Sequence, residues 1–395
     1  MSASLINQTS LVDLGERLRL ARDAANLTQK QAADAITIAR TTLVAIEQGQ
    51  RRVRMDELLQ LAKLYRASVN ALLRSESVHV DLVPRFRKLI TKEDPAASAA
   101  TELLSNLARA EVELENLLGI KRARSYPPER PILSGDVRVQ AEQDALELRQ
   151  RLGLGFAPIV DIVTLLEMEL GVRVYVRRFD GSVSGVFAYD EVLGACILLN
   201  ANHPRERRNQ TGGHELGHLI SVRHEPEILH ADEPENSREE RYAIAFARSF
   251  LSPAGAVRQK FQDVTAGSPR LTRRHIIVLA HFFGVSREAM VRRLEELGLC
   301  KNGSWDWFAA NGGITDDQVA QVLGDLKARD QYKTEADRPT TLRLNLLAAE
   351  AYRQELLSEG QLARLLHLDR VELRGLLHDM ENQEGEADGA PTLLQ

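Results

Sequence analysis

Apolar residues recur at helical spacing along most of the chain. In LGERLRLARDAA the stripe is Leu14, Leu18, Ala21 and Ala25, a spacing of three or four that predicts a helix with one buried face. Thr28 stands before QKQAADAI as an N-cap would. ARTTLVAIEQG ends on Gly49, a helix stop. RMDELLQLAKLY places Leu58, Leu61, Ala62 and Tyr65 on one face, and SVNALL closes the unit. Residues 12–74 therefore read as a compact helical bundle. Farther on, ASAATELLSNLARAEVELENLL carries the stripe Leu103, Leu107, Ala110 and Leu114. The proline-rich RARSYPPERPILSGD reads as a linker.

The period changes after Val137. VQAEQDALELRQRLGL and VDIVTLLEMELG are amphipathic helices, but GVRVYVRRF, SGVFAYD and GACILLNA alternate or run apolar with β-formers. Gly181 and the Asp190–Glu191 turn bound these runs, which predicts a small antiparallel sheet. TGGHELGHLIS and SREERYAIAFARSFLS return to helix, with an acidic, proline-containing loop between them. RRHIIVLAHFFGVSREAMVRRLEELG and LRLNLLAAEAYRQELLSEGQLARLLHLDRVELRGLL are helix-turn-helix in style. EGEADGAPTLLQ reads as a disordered tail. The fold class expected is mainly α with a small antiparallel β-sheet, an α+β arrangement.

Composition narrows the function classes. At 395 residues, 44% hydrophobic and 27% charged, the chain is long enough for two or three domains and ordinary for a soluble protein. No stretch approaches the roughly 18 apolar residues of a membrane span, and the N-terminus lacks a signal-peptide pattern. A cytoplasmic protein with no membrane partner is expected. The two cysteines, Cys196 and Cys300, exclude a disulfide framework and a Cys-rich zinc ribbon. Net charge is −5, yet residues 1–75 hold eleven Lys/Arg against seven Asp/Glu, and residues 379–395 hold five acids and no Lys or Arg. An acidic average can hide a basic DNA-binding head.

The sharpest chemical signal is His214-Glu215-Leu216-Gly217-His218. On a helix, positions i and i+4 share a face about 6 Å apart, so two imidazoles can grip one zinc ion. Glu215 lies about 100° round the helix, where it can reach the attacking water instead of the ion and act as general base. Leu216, Leu219 and Ile220 bury one side of this helix, while Gly212, Gly213 and Gly217 cluster in it. Each glycine costs about 0.5–1 kcal/mol in a helix interior, a cost that a close backbone approach would explain. An open catalytic site needs a third protein ligand. In the downstream helix Glu240 flanks the face formed by Ala243, Phe246, Ala247, Phe250 and Leu251, whereas Glu239 is rotated away. His224 and His230 compete for the role from the loop.

With these residues in view, LLNANHPRERRNQTGGHELGHLI followed by EERYAIAFARSFLSP resembles the ImmA/IrrE family of zinc metallopeptidases over about residues 137–300. The resemblance implies His214, His218 and Glu240 as zinc ligands and Glu215 as general base. Gly213 stands where alanine is usual, and Ile244, Phe250 and Ser252 also depart from the pattern. The head, from LGERLRLARDAANLTQKQAADAI through IEQGQRRVRMDELLQLAKLYRASVNALL, resembles the XRE (lambda-repressor/Cro-like) helix-turn-helix family. That resemblance implies binding to double-stranded DNA. Gln29, Arg40, Thr41 and Thr42 lie at helix N-termini that meet base edges or phosphates. Arg51, Arg52 and Arg54 follow as candidates for contacts to the DNA backbone.

The expected organisation is a DNA-binding domain over 1–76, a helical connector and Pro-rich linker over 77–136, a zinc metallopeptidase domain over 137–265, a helical region with helix-turn-helix-like segments over 266–380, and an acidic disordered tail over 381–395. In the last of those segments Arg364 and Arg370 sit close to Asp369 and Glu372, which favours a packing or dimer role over DNA binding. The function expected is a homodimeric transcriptional regulator whose endopeptidase cleaves a regulatory protein, such as a repressor, on a stress or phage-related signal. The alternative is a non-proteolytic transcription factor, or an antitoxin-like autoregulator, whose metal domain senses a ligand.

Overall fold

A computed structural model describes residues 11–25, 27–65, 67, 72, 82–86, 89, 94–159, 161–230, 237–324 and 341–384. The chain divides into two compact units, Met1–His79 and Val80–Gln395. Of the acidic tail expected over 381–395, residues 381–384 continue the last helix, and the remainder, with most of SVNALL, lies outside the described residues.

The first unit is helical: α1 (Leu11–Ala24), α2 (Gln29–Ala35), α3 (Arg40–Glu47) and α4 (Met55–Leu64). Leu14, Leu18, Leu43, Ile46, Leu58 and Leu61 form its core, which is the stripe read from the spacing. Thr28 caps α2 reciprocally: its hydroxyl accepts from the Gln31 N–H at 3.2 Å, and Gln31 Oε1 accepts from the Thr28 N–H at 2.9 Å. This satisfies two donors that a bare helix start would leave unpaired. Between α2 and α3, Thr37 turns at φ 59°, a left-handed conformation unusual for a β-branched residue. Glu47 is buried and accepts from Arg22 Nε at 2.7 Å and Gln29 Nε2 at 2.9 Å.

The second unit opens with the short α5 (Val83–Phe86) and the long α6 (Pro95–Leu118). Asp94 caps α6, Pro95 takes its first turn, and Gly119 ends it at φ 69°. Next come α7 (Val137–Arg151) and α8 (Ile162–Thr164), which runs into a π-helical turn at Leu165–Glu169. The strands are β1 (Arg173–Arg177), β2 (Val183–Asp190) and β3 (Gly194–Asn200). They are followed by α9 (Arg205–Ser221), β4 (Glu227–His230) and α10 (Arg238–Leu251). Helices α11 (Ala254–Thr265), α12 (Arg273–Phe283), α13 (Arg287–Glu296), α14 (Ser304–Ala310) and α15 (Asp316–Leu323) complete that body. Last are α16 (Leu342–Arg353), α17 (Glu359–Leu366) and α18 (Arg370–Glu384).

The α+β class holds, but the sheet is mixed and has a fourth strand. Its order is β1-β3-β2-β4, with β1 parallel to β3 and the other pairs antiparallel. The apolar GACILLN supplies β3 and takes a place with two neighbours, while β1, which carries Arg173 and Arg177, takes an edge. Both faces of the sheet are covered, so β1 and β3 are buried end to end. On one face Val174, Val176, Phe187, Ile197 and Leu199 share a core with Leu216, Leu219 and Ile220 of α9. On the other, Arg173 meets Glu115 of α6 at 2.7 Å, and Tyr175 donates to Glu111 at 2.5 Å.

The connector and Pro-rich linker expected at 77–136 is not a spacer. Helix α6 covers the sheet, and the stretch after it is bonded down. Ser125 N–H donates to the Leu170 carbonyl at 3.0 Å and Arg130 N–H to that of Ile220 at 2.7 Å. Its prolines leave few donors to satisfy, so a segment that reads as a linker can lie against a folded surface.

The C-terminal helices dock on the same side as α6. Arg343 meets Glu115 at 2.9 Å, its N–H donates to Glu167 at 3.1 Å, and Thr341 donates to the Val174 carbonyl at 2.8 Å. Burial pushes the Glu167 carboxyl up to about 7, against the opposing bond from Arg343. Native Glu167 therefore keeps a proton that the unfolded chain releases from about pH 4.5 upward. Stability is full below that pH and falls as pH rises through about 7, by on the order of 3 kcal/mol. Glu167→Gln should remove this loss. The urea midpoint followed by fluorescence of Trp305 and Trp307 should drop between pH 5 and pH 8 in the wild type and drop less in the variant.

Candidate metal centre

The centre is assembled from α9, β4 and α10. Helix α9 presents the HExxH residues one turn apart, and its apolar side is anchored by Leu216, Leu219 and Ile220 in the core. His214 Nε2 and His218 Nε2 face one another at 3.0 Å. Helix α10 lies along α9 because its small residues meet the α9 glycines: a Cβ on Gly217 would come within 2.9 Å of Ala243 Cα. Tyr242 ties α10 to α7, donating to Asp144 at 2.7 Å. Ser237 caps α10 by accepting from the Glu240 N–H at 3.0 Å, which holds Glu240 in the first turn. From there its two oxygens lie 3.4 Å from His214 Nε2 and 3.4 Å from His218 Nε2.

A fourth donor, missed by sequence reasoning, comes from β4. Glu227 lies 3.2 Å from His214 Nε2 and in ion-pair contact with His218. The donor atoms of His214, His218, Glu227 and Glu240 all lie within 4.8 Å of one another. Zinc bonds of about 2.0–2.1 Å in a tetrahedron put ligand atoms roughly 3.3 Å apart, so the observed spacings suit that ion. Two imidazoles with carboxylates are also a donor set that zinc accepts. The missed signal was Pro226 followed by Glu-Ile-Leu: a β-former and a second apolar residue after a breaker, short enough to pass as loop.

Glu215 points elsewhere, as the helical offset requires. Both of its carboxylate oxygens are buried without a hydrogen-bond partner. It lies against β2 at Gly185, where a Cβ would meet Glu215 Oε1 at 3.0 Å and Thr211 Cγ2 at 2.6 Å; glycine is what admits the carboxylate. Burial, and then the charge of Glu227, push the Glu215 carboxyl well above the usual range. Burial alone would lower His218, but the charge of Glu227 and the bonds from Glu227 and Glu240 outweigh it and hold the imidazole at about 10. The same histidines hold Glu227 far below the ordinary carboxylate range, against its own burial. Concentrated negative charge around paired imidazoles is the field that a dication would neutralise.

The rival ligands lie apart. His224 is exposed and packs edge-on to Tyr189, with ring centroids 5.0 Å apart. His230 sits 3.5 Å from Asp94, and Glu239 is not in the cluster. Cys196 is buried and its thiol is pushed up to about 12 by that burial, so it is a packing residue.

In the first unit Arg40, Thr41 and Arg52 are exposed and Thr42 is half-buried at the start of α3. Gln29 is turned inward to Glu47. Arg51 spends its fork on Glu57, at 3.1 and 3.0 Å.

Residues 167–295 match the IrrE N-terminal-like domain, and residues 13–74 match a helix-turn-helix domain. The chain thus carries an XRE-type helix-turn-helix domain at its N-terminus and an ImmA/IrrE-type domain within its second unit. The head is also similar to the HTH-type transcriptional regulator ImmR of Bacillus subtilis (strain 168), with 39% identity over 67 residues. That match covers 17% of this chain and 53% of the relative, so the chain spans about half the length of the curated protein it matches. No described helix is long and apolar enough to cross a membrane.

Proposed function

We propose that this protein is a DNA-binding transcriptional regulator whose ImmA/IrrE-type body is a zinc-dependent endopeptidase acting on a regulatory protein such as a repressor, on a stress or phage-related signal. The observation that carries the reading is the convergence of His214, His218 and Glu240, with Glu215 beside them and bonded to nothing. A purely structural zinc site has no use for that carboxylate, and a buried polar group left unpaired calls for a functional explanation.

Zinc held by His214, His218 and Glu240 would supply Lewis-acid polarisation of the scissile carbonyl. Glu215 takes the proton of the attacking water and returns it to the leaving nitrogen. Leu216, Leu219 and Ile220 keep the α9 backbone immobile, so the base is held at a fixed offset from the ligands. The test incubates zinc-loaded protein with the repressors encoded near its own gene and reads fragments by mass spectrometry. A discrete cut in one of them is expected, and the absence of any cut in all of them, with zinc in place, overturns the peptidase reading.

The head is proposed to bind duplex DNA as a homodimer, on half-sites about one helical turn apart. The exposed Arg40 and Thr41 at the start of α3, and the local excess of four positive charges, support this. Arg40→Ala should weaken binding to the preferred site more than to random DNA, whereas Arg52→Ala should weaken both alike. Arg51→Ala should act mainly through lost contact with Glu57. In gel shifts the full chain should lose affinity steeply with salt as counterions are released; salt-independent binding would count against the phosphate contacts.

A further inference from the structure

We infer that Glu227 is a fourth protein ligand that closes the metal centre most of the time, so that the peptidase is held to a fraction of its full activity until β4 withdraws this carboxylate. The inference rests on the zinc reading above and adds its regulation. Catalytic zinc sites keep one position open, whereas sites with four protein ligands are closed. His214, His218 and Glu240 fill three positions, and Glu227 lies as close to both imidazoles as Glu240 does. Two neutral imidazoles and one carboxylate leave a zinc centre at +1; the second carboxylate takes it to zero. A neutral, saturated ion has neither a free position nor the charge to polarise a carbonyl.

The four ligands are not held alike. His214 and His218 stand on a helix buried in the core, and Glu240 is pinned by the Ser237 cap and the α9–α10 contact. Glu227 is the first residue of a four-residue strand at the sheet's edge, which pairs only with β2 among the described residues. That ladder breaks register between Val183 and Gly185, and Ile228 is the single buried residue of β4. The carboxylate easiest to release is therefore the one whose departure opens the site.

The experiment uses the cobalt(II)-substituted full chain, with visible absorption of the cobalt read during titration with metal and then with acetohydroxamate, a chelator that needs a free position. Glu227→Gln should loosen cobalt by about 10–100-fold, at least the loss that follows damage to a supporting shell. It should tighten acetohydroxamate by about tenfold or more, since an internal ligand present nine-tenths of the time reduces apparent affinity by that factor. Glu227→Asp keeps the charge but shortens the reach and should also tighten the chelator. Glu225→Gln, an exposed acid two residues away, should match the wild type. The inference is overturned if wild type takes up cobalt and Glu227→Gln and Glu227→Asp match it in both affinities. Wild type that takes up no cobalt overturns the metal reading itself. Cleavage absent from every protein despite the expected cobalt behaviour would leave Glu227 a ligand and reject only the peptidase.

Discussion

Glu215→Gln is expected to bind zinc as the wild type does and to lose cleavage by on the order of 10²–10⁴-fold, the usual contribution of a positioned general base. The substitution is nearly isosteric, and Glu215 makes no hydrogen bond whose loss would disturb the fold. It stands on the side of α9 toward β2 and Gly185, while the four donor atoms gather on another side. An amide there cannot accept the proton, but it leaves the ligands untouched. His214→Ala is the contrasting control: it removes a donor and should lower both bound zinc and cleavage. Elemental analysis and fragment mass spectrometry on the same preparations separate the two effects. Cleavage by Glu215→Gln at the wild-type rate would remove Glu215 from the chemistry. Loss of zinc in that variant would make it a ligand.

What could be seen in the sequence was local. His214 and His218 are fixed by helical period, and Glu240 by its offset from the apolar face of its own helix. Glu227 depends on β4 pairing with β2, residues about forty positions away, and a four-residue strand leaves almost no periodic signal. Arg173, Tyr175 and Arg177 alternate with valines, and that alternation does not say what covers their face. They are buried because α6 supplies Glu111 and Glu115 against Arg173 and Tyr175, and because Arg177 donates to the Leu366 carbonyl from the C-terminal helices. The same limit applies in the head. The resemblance of the head places Gln29 and Arg51 where DNA contacts are expected, but Glu47 and Glu57 engage them in the fold, and neither pairing follows from local spacing. The glycine cluster in α9 was legible as an energetic anomaly, and its reason is now specific.

Gly217→Ala should destabilise the body of the protein and weaken metal binding together. Gly213 and Gly217 are i and i+4 on α9 and face Ala247 and Ala243, i and i+4 on α10. The two helices touch through these small residues. At position 217 an added Cβ would lie 2.9 Å from Ala243 Cα and 3.2 Å from its Cβ, and a backbone atom cannot rotate out of the way. The helices must separate, at about 1–3 kcal/mol for overpacking, against about 0.5–1 kcal/mol regained in helix propensity. The net is a loss. Because α10 carries Glu240, the separation also moves that carboxylate, the proposed third ligand, away from both histidines. Gly213→Ala is the internal control. There the new Cβ meets Ala247 at 3.2 and 3.3 Å, a few tenths from ordinary contact, and the propensity gain should nearly offset the crowding. Thermal midpoints and cobalt titrations should therefore fall for Gly217→Ala and stay near wild type for Gly213→Ala. A Gly217→Ala protein with an unchanged midpoint and unchanged cobalt affinity would show that the spacing of α9 and α10 does not set the position of Glu240.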